Sequence, residues 1–124
     1  MQLFDLTPGG AMLLAQDDWR TEMLGHFPGT AGVRDLTWQD WSLPRAISPD
    51  GKQVVFCECG TGGGPLFSAY IRPTDGGPAL RLGDGNPQRY APDGQYVEVD
   101  IVTTPIQYEL LPTGAGAAVP LRYS

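Results

Sequence analysis

Ser48-Pro49-Asp50-Gly51-Lys52-Gln53-Val54-Val55-Phe56 is the stretch from which the rest of the chain is read. Proline sets φ near about −65° at the first turn position, the aspartate can accept a hydrogen bond from its own backbone, and glycine tolerates φ > 0. The turn runs straight into an apolar strand. Reduced copies stand on either side, at Thr7 to Ala15 and at Ala91 to Val99. The turn prolines Pro8, Pro49 and Pro92 recur at intervals of 41 and 43 residues, each followed two positions later by Gly10, Gly51 or Gly94. Asp50 and Asp93 fill the turn in the second and third copies; the first has Gly9 instead, and the third has Ala91 in place of the serine.

A second marker follows each turn: Pro28-Gly-Thr-Ala-Gly32, Pro73-Thr-Asp-Gly-Gly77 and Pro112-Thr-Gly-Ala-Gly116. Two markers in phase, three times over, predict one supersecondary unit repeated three times. Each unit parses into four short strands. In the middle one, Arg45 to Ser48 enters the turn and Gln53 to Cys59 leaves it, then Leu66 to Arg72 returns and Ala79 to Leu82 closes the unit. The expectation is an all-β chain, a single segment spanning residues 1–124, made of three four-stranded antiparallel sheets at about 1–37, 43–83 and 87–122.

Composition agrees with short strands and many turns. Of 124 residues, 17 are Gly and 12 are Pro, while 41% are hydrophobic, which fits a folded chain. The formal charge is −6 and the eight basic residues are scattered, so no cationic surface for nucleic acid or anionic membrane is expected. Apolar runs fall well short of the ~18 residues of a membrane helix, and the first residues, MQLFDLTPGG, lack the pattern of an export signal.

Side-chain alternation distinguishes the units. Val54, Val55, Phe56 and Cys57 are apolar on both faces, the mark of a sheet enclosed between two others. In the third unit Val97, Val99 and Ile101 alternate with Glu98 and Asp100, and Ile106, Tyr108 and Leu110 with Gln107 and Glu109. That predicts a terminal sheet with one apolar and one acidic face, the latter carrying Glu98, Asp100 and Glu109. The first unit (Met12, Leu13, Leu14, Ala15; Met23, Leu24, Phe27) is apolar throughout, so something is expected to cover it.

The Ser-Pro-Asp-Gly turn, the second marker and the closing strand resemble the WD40-like repeats of TolB-like β-propellers. DLTWQDWSLPRAISPDG (35–51), TDGGPALRLGDG (74–85) and LLPTGAGAAVPL (110–121) further resemble propellers fused to bacterial serine/threonine kinases. The resemblance implies propeller blades, a scaffold or sensory role through a protein or peptide partner, and, by analogy alone, an extracytoplasmic place. Closed rings of this kind have about six or seven blades, so three imply a partial propeller, completed by self-association or left open. The alternatives are an accessory propeller gating a hydrolase domain outside this chain, or an excised fragment with no activity of its own.

Candidate binding residues lie where units join. Trp38, Asp40, Trp41 and Arg45 fall in the longer connection before the second turn, and Arg89 takes the corresponding region before the third; Trp and Arg dominate interface hot spots. Trp19 stands at an expected hairpin tip. No catalytic, metal or cofactor role is expected. His26, the sole histidine, occupies the position taken by Ile71 and Leu110 in the other units and reads as packed. Gly60 to Pro65 lacks the ending of a phosphate loop and reads as a flexible connection. Cys57 and Cys59 read as packing thiols, because alternate strand positions lie roughly 6.5–7 Å apart, at the limit of disulfide reach.

Overall fold

A computed structural model describes residues 2–15, 20–29 and 31–122, with the side chains of residues 2–6, 14 and 15 left aside; Trp19 lies outside the described residues. Among those residues the chain is all-β apart from one 3-10 turn at Thr61–Gly63. Two four-stranded antiparallel meanders form its body. The first is β5 (Ser42–Ile47), β6 (Gln53–Glu58), β7 (Ser68–Pro73) and β8 (Leu80–Asp84), in that order. The second is β9 (Asn86–Tyr90), β10 (Tyr96–Ile101), β11 (Gln107–Pro112) and β12 (Val119–Leu121).

The first unit departs from the expected pattern. It consists of two separate ribbons, β1 (Gln2–Leu6) with β2 (Met12–Ala15), and β3 (Leu24–Gly25) with β4 (Arg34–Asp35). Among the described residues no ladder joins β2 to β3, so this unit is not one four-stranded sheet.

The proline turns hold equivalent places, each linking the first two strands of its unit. Gly10, Gly51 and Gly94 take φ values of 92°, 74° and 73°, which only glycine adopts without strain. Their N–H groups donate to the carbonyls of Thr7, Ser48 and Ala91 at 3.0, 2.9 and 2.8 Å. The second marker closes on the first. Thr74 donates its N–H to Lys52 O and its hydroxyl to Gly51 O; Thr113 does the same to Gln95 O and Gly94 O, all at 2.9–3.0 Å. That docking explains the phasing of the two markers: the threonine supplies two donors to turn carbonyls that otherwise face water.

Each first strand also carries a bulge four residues before its proline, where the pairing register skips Phe4, Arg45 or Gln88. A bulged residue leaves the ladder and is re-aimed. By this count Gln88, and not Arg89, is the equivalent of Arg45.

The middle sheet is enclosed on both faces, as its sequence indicates. Val55, Ala69 and Ile71 meet Val97, Val99, Ile101 and Leu111 of the next sheet. On the other side Val54 and Phe56 meet Met23 and Leu36, with Phe27, Tyr70 and Ala79 at the margin. Phe56 stacks on its cross-strand neighbour Tyr70, centroids 5.6 Å apart. Full burial of each such side chain stabilises by about 1.5–3 kcal/mol, so these two interfaces hold the stack together.

The third sheet corrects the expected acidic face. Val99 lies opposite Glu109, whereas Glu98 lies opposite Leu110 and Asp100 opposite Tyr108. Directly paired residues share a face, so Glu109 belongs with Val97 and Val99, while Leu110 and Tyr108 join Glu98 and Asp100. The outer face is therefore mixed, because one position of register exchanges every side chain between faces.

Candidate functional site

The connection from β4 to β5 lies across the middle sheet, and Arg72 of β7 pins it. Its Nε donates to Gly77 O at 2.8 Å and one terminal nitrogen to Leu36 O and Thr37 O at 2.8 and 3.1 Å. The other terminal nitrogen donates to Gly76 O at 3.1 Å. The same guanidinium lies 5.2 Å from the centre of the Trp38 ring, a cation–π contact between partners that are both held in place. Trp38 is nevertheless 41% exposed, so one surface of the indole faces outward.

Beyond Trp38 the chain is tied to a buried carboxylate. Ser42 Oγ accepts the Trp38 N–H at 2.9 Å and donates to Glu58 Oε1, which also accepts the Gln39 N–H at 3.0 Å. Glu58 is fully buried, and among the described residues its Oε2 has no hydrogen-bond partner. Asp40 is exposed, and its carbonyl accepts the Thr21 N–H at 3.1 Å; Trp41 is half-buried and its carbonyl accepts the Cys59 N–H at 3.1 Å.

Two expectations give way to the structure. The Cys59 N–H bond to Trp41 O continues the β5–β6 pairing one residue beyond Glu58, and the Cα atoms of Cys57 and Cys59 lie 5.6 Å apart, closer than the roughly 6.5–7 Å of fully extended alternate positions. The two cysteines are joined as a disulfide instead of standing as packing thiols. The glycine loop is likewise a packed element and not a loose connection. A Cβ at Gly63 would enter the Glu58 carbonyl and one at Gly62 would enter the Gln39 side chain. Ser68 Oγ donates to Gly63 O at 2.8 Å and holds the loop to β7. These glycines permit close approach of backbone to neighbour.

Arg45 and Arg89 stand apart from the tryptophans and flank a different cluster. Arg45 donates through two nitrogens to Asn86 Oδ1 at 3.2 and 2.9 Å, tying β5 to β9. Arg89 Nε pairs with Glu98 Oε2 at 2.7 Å on the outer face of the third sheet. Between them Asp100 is pushed above its ordinary value by burial and by Glu98, with Arg45 opposing. Glu98 is thus matched by Arg89 at a charge-assisted distance, whereas at Asp100 the pull of Arg45 is outweighed by burial and Glu98.

The residues proposed from sequence therefore divide in two. Trp38, Asp40 and Trp41 share one pinned connection, while Arg45 and Arg89 border Glu98 and Asp100. Arg72, the residue that makes Trp38 rigid, escaped the sequence reading; its signal was a lone arginine in an otherwise apolar returning strand, Ser68–Pro73. His26, just past β3, is exposed and not packed; the flanking residues Met23 and Phe27 are the ones that turn to the core. Among the described residues no three His, Cys, Asp or Glu side chains converge as a ligand set, and no helix is long and apolar enough to cross a membrane. Comparison with protein-family models, with curated proteins and with solved structures finds no match to this chain.

Proposed function

We propose that this chain is a non-catalytic interaction module of propeller-like blades that captures a protein or peptide on the surface around Trp38. The observation that carries the reading is the Trp38–Arg72 pair. An indole 41% exposed is backed by a guanidinium that donates to four backbone carbonyls, so an aromatic anchor is presented with little freedom left to lose. Preorganised Trp and Arg residues are the residue types that dominate binding energy at interfaces, and prior rigidity lowers the cost of association. Asp40, exposed on the same connection, adds a polar contact at the rim.

Selection of a displayed random-peptide library on the immobilised chain tests this. Selected peptides are expected to lose binding to Trp38→Ala by tenfold or more, which corresponds to about 1.4 kcal/mol, while circular dichroism stays unchanged. Peptides that bind wild type and Trp38→Ala equally, or a failure to select any, would overturn the reading.

A further inference from the structure

Cys57 and Cys59 sit opposite the root of the Trp38 connection. Leu43 lies opposite Cys57 and Ser42 opposite Glu58, and the Cys59 N–H on Trp41 O takes the next place along the same two strands. Glu58, the one residue the bridge encloses, turns its side chain onto Ser42 and the Gln39 N–H, and Ser42 in turn accepts from Trp38. Gly60 completes the contact: a Cβ there would stand 2.9 Å from Asp40 Oδ1 and 3.0 Å from Trp41 Cβ. Arg72 holds the connection before Trp38, at Leu36 O and Thr37 O, and the cysteine segment holds it after Trp38. Thr21 meets the same stretch from the other side, at Asp40 O and the Ser42 N–H.

The bridge does little as a staple, since a disulfide that closes a ring around a single residue removes little freedom from the unfolded chain. Its effect is local. It keeps the two Cα atoms at 5.6 Å, where an extended strand sets alternate positions roughly 6.5–7 Å apart. Once opened, the segment is free to lengthen by roughly an ångström, which moves Glu58 and Cys59 against Ser42 and Trp41. The bonds that join the two stretches, Gln39 N–H to Glu58 Oε1 at 3.0 Å and Cys59 N–H to Trp41 O at 3.1 Å, do not survive such an extension. The two cysteines also differ in access: Cys57 is fully buried, whereas Cys59 is partly exposed.

We propose that the Cys57–Cys59 bridge is a redox latch on the Trp38 surface: closed, it holds the connection rigid for capture, and opened by a dithiol it releases the connection. A thiolate of the dithiol attacks Sγ of Cys59, the partly exposed partner; the S–S bond breaks and its electron pair passes to Cys57 Sγ, which takes up a proton. The second thiolate of the reagent then displaces Cys59 from the mixed disulfide, Cys59 is protonated, and the reagent leaves as a cyclic disulfide. Two electrons and two protons thus pass to the chain. The latch rests on the capture reading for its purpose but not for its geometry, so the two can fail separately.

Amide exchange of the full chain is followed by NMR before and after treatment with dithiothreitol, free thiols are counted in each state, and the selected peptides are titrated into both. The expected result is no free thiol before treatment and both cysteines free after it. Exchange at Gln39 and Cys59 is expected to become about tenfold faster or more, while Val55 and Ile71, in the β6–β7 ladder, keep their rates. Peptide binding is expected to weaken several-fold and to return on reoxidation. Free thiols in the untreated chain, a bridge that opens only in denaturant, or unchanged exchange at Gln39 and Cys59 overturns the latch. Faster exchange that reaches Val55 and Ile71 equally also overturns it, because the bridge would then be a staple of the whole stack. Cys59→Ser, which leaves Cys57 in the core, is expected to exchange like the reduced chain with no reagent present; exchange like the bridged chain overturns the proposal, and if the variant does not fold, reduction of the unaltered chain decides. Peptides that bind both states equally overturn the latch and spare capture, whereas exchange that responds as expected in a chain that selects no peptide supports the latch and overturns capture.

Discussion

The middle unit and the first begin with the same turn and reach different ends. Both have a glycine at positive φ, a turn bond at 2.9–3.0 Å and a bulge four residues before the proline. Yet one closes into a four-stranded meander and the other divides into two ribbons. The difference lies beyond the turn. In the middle unit Pro73 is followed at once by Thr74, whose two donors fasten the third strand to the first turn; among the described residues of the first unit no bond joins the second marker to the first turn. Turn chemistry fixes a hairpin, whereas a sheet needs a second tie and a partner for each of its faces.

The strongest way to break the comparison is to remove the partner from the middle sheet. Phe56 is fully buried between Tyr70 and the Met23–Leu36 pair, so Phe56→Ala is expected to cost about 3–5 kcal/mol in denaturant unfolding. Val33→Ala, at a residue 64% exposed in the first unit, is expected to change stability by less than about 0.5 kcal/mol. Equal effects would mean that the two interfaces do not hold the stack.

Ser42 sharpens the same contrast from the polar side. Ser42→Ala removes the hydroxyl that donates to Glu58 Oε1 and accepts from Trp38, leaving a buried carboxylate with one backbone donor. A loss of about 1–3 kcal/mol is expected, together with a change in near-ultraviolet circular dichroism as the Trp38 connection loosens. An unaltered spectrum and stability would show that the connection is held by Arg72 alone.

What could be read beforehand follows the range of the interaction. Strand class, antiparallel order and the equivalence of the three proline turns are local, written in Pro-x-Gly and in alternation over five or six residues. The enclosed middle sheet was legible because Val54 to Cys57 is apolar without a break. Two of the differences amount to a single position along a strand: Phe27 packs where His26 is exposed, and Glu109 lies with Val99 instead of with Glu98. A count from Pro28 or from Pro112 cannot see such a shift, which long-range pairing decides. The contacts of Arg72 and Glu58 depend on where the chain from Leu36 to Gln39 crosses the sheet, and no residue in that stretch announces its path; the Cys57–Cys59 bridge needs the two Cα atoms at 5.6 Å, a local shortening that alternation does not reveal.

Thr74 and Thr113 test the second tie directly. Replacing either by valine keeps the shape and removes the hydroxyl bond to Gly51 or Gly94, so each is expected to cost about 0.5–1.5 kcal/mol. The two losses should match. A much smaller loss at Thr113 would show that the third sheet relies on its packing against Val55 and Ile71, not on the marker.

The smallest effect is the most local. The Ser48 hydroxyl, first, and the Lys52 N–H hold the Asp50 carboxylate below its ordinary value of 3.8, with donor distances of 2.6 and 3.0 Å. A depressed folded-state value means that Asp50 contributes stability above pH 3.8 and loses it as the pH falls through the lower value. Asp100 behaves oppositely, since burial and Glu98 raise it, so its ionisation opposes folding as the pH rises past 3.8. Carboxyl-carbon NMR titration is expected to find Asp50 below and Asp100 above that mark, and Ser48→Ala is expected to move Asp50 upward alone. The third unit already carries Ala91 at the position of Ser48 and still forms its turn, with the Gln95 N–H on Asp93 at 3.0 Å. The serine therefore tunes the turn without making it, and a Ser48→Ala chain that lost the β5–β6 hairpin would contradict the equivalence of the two units.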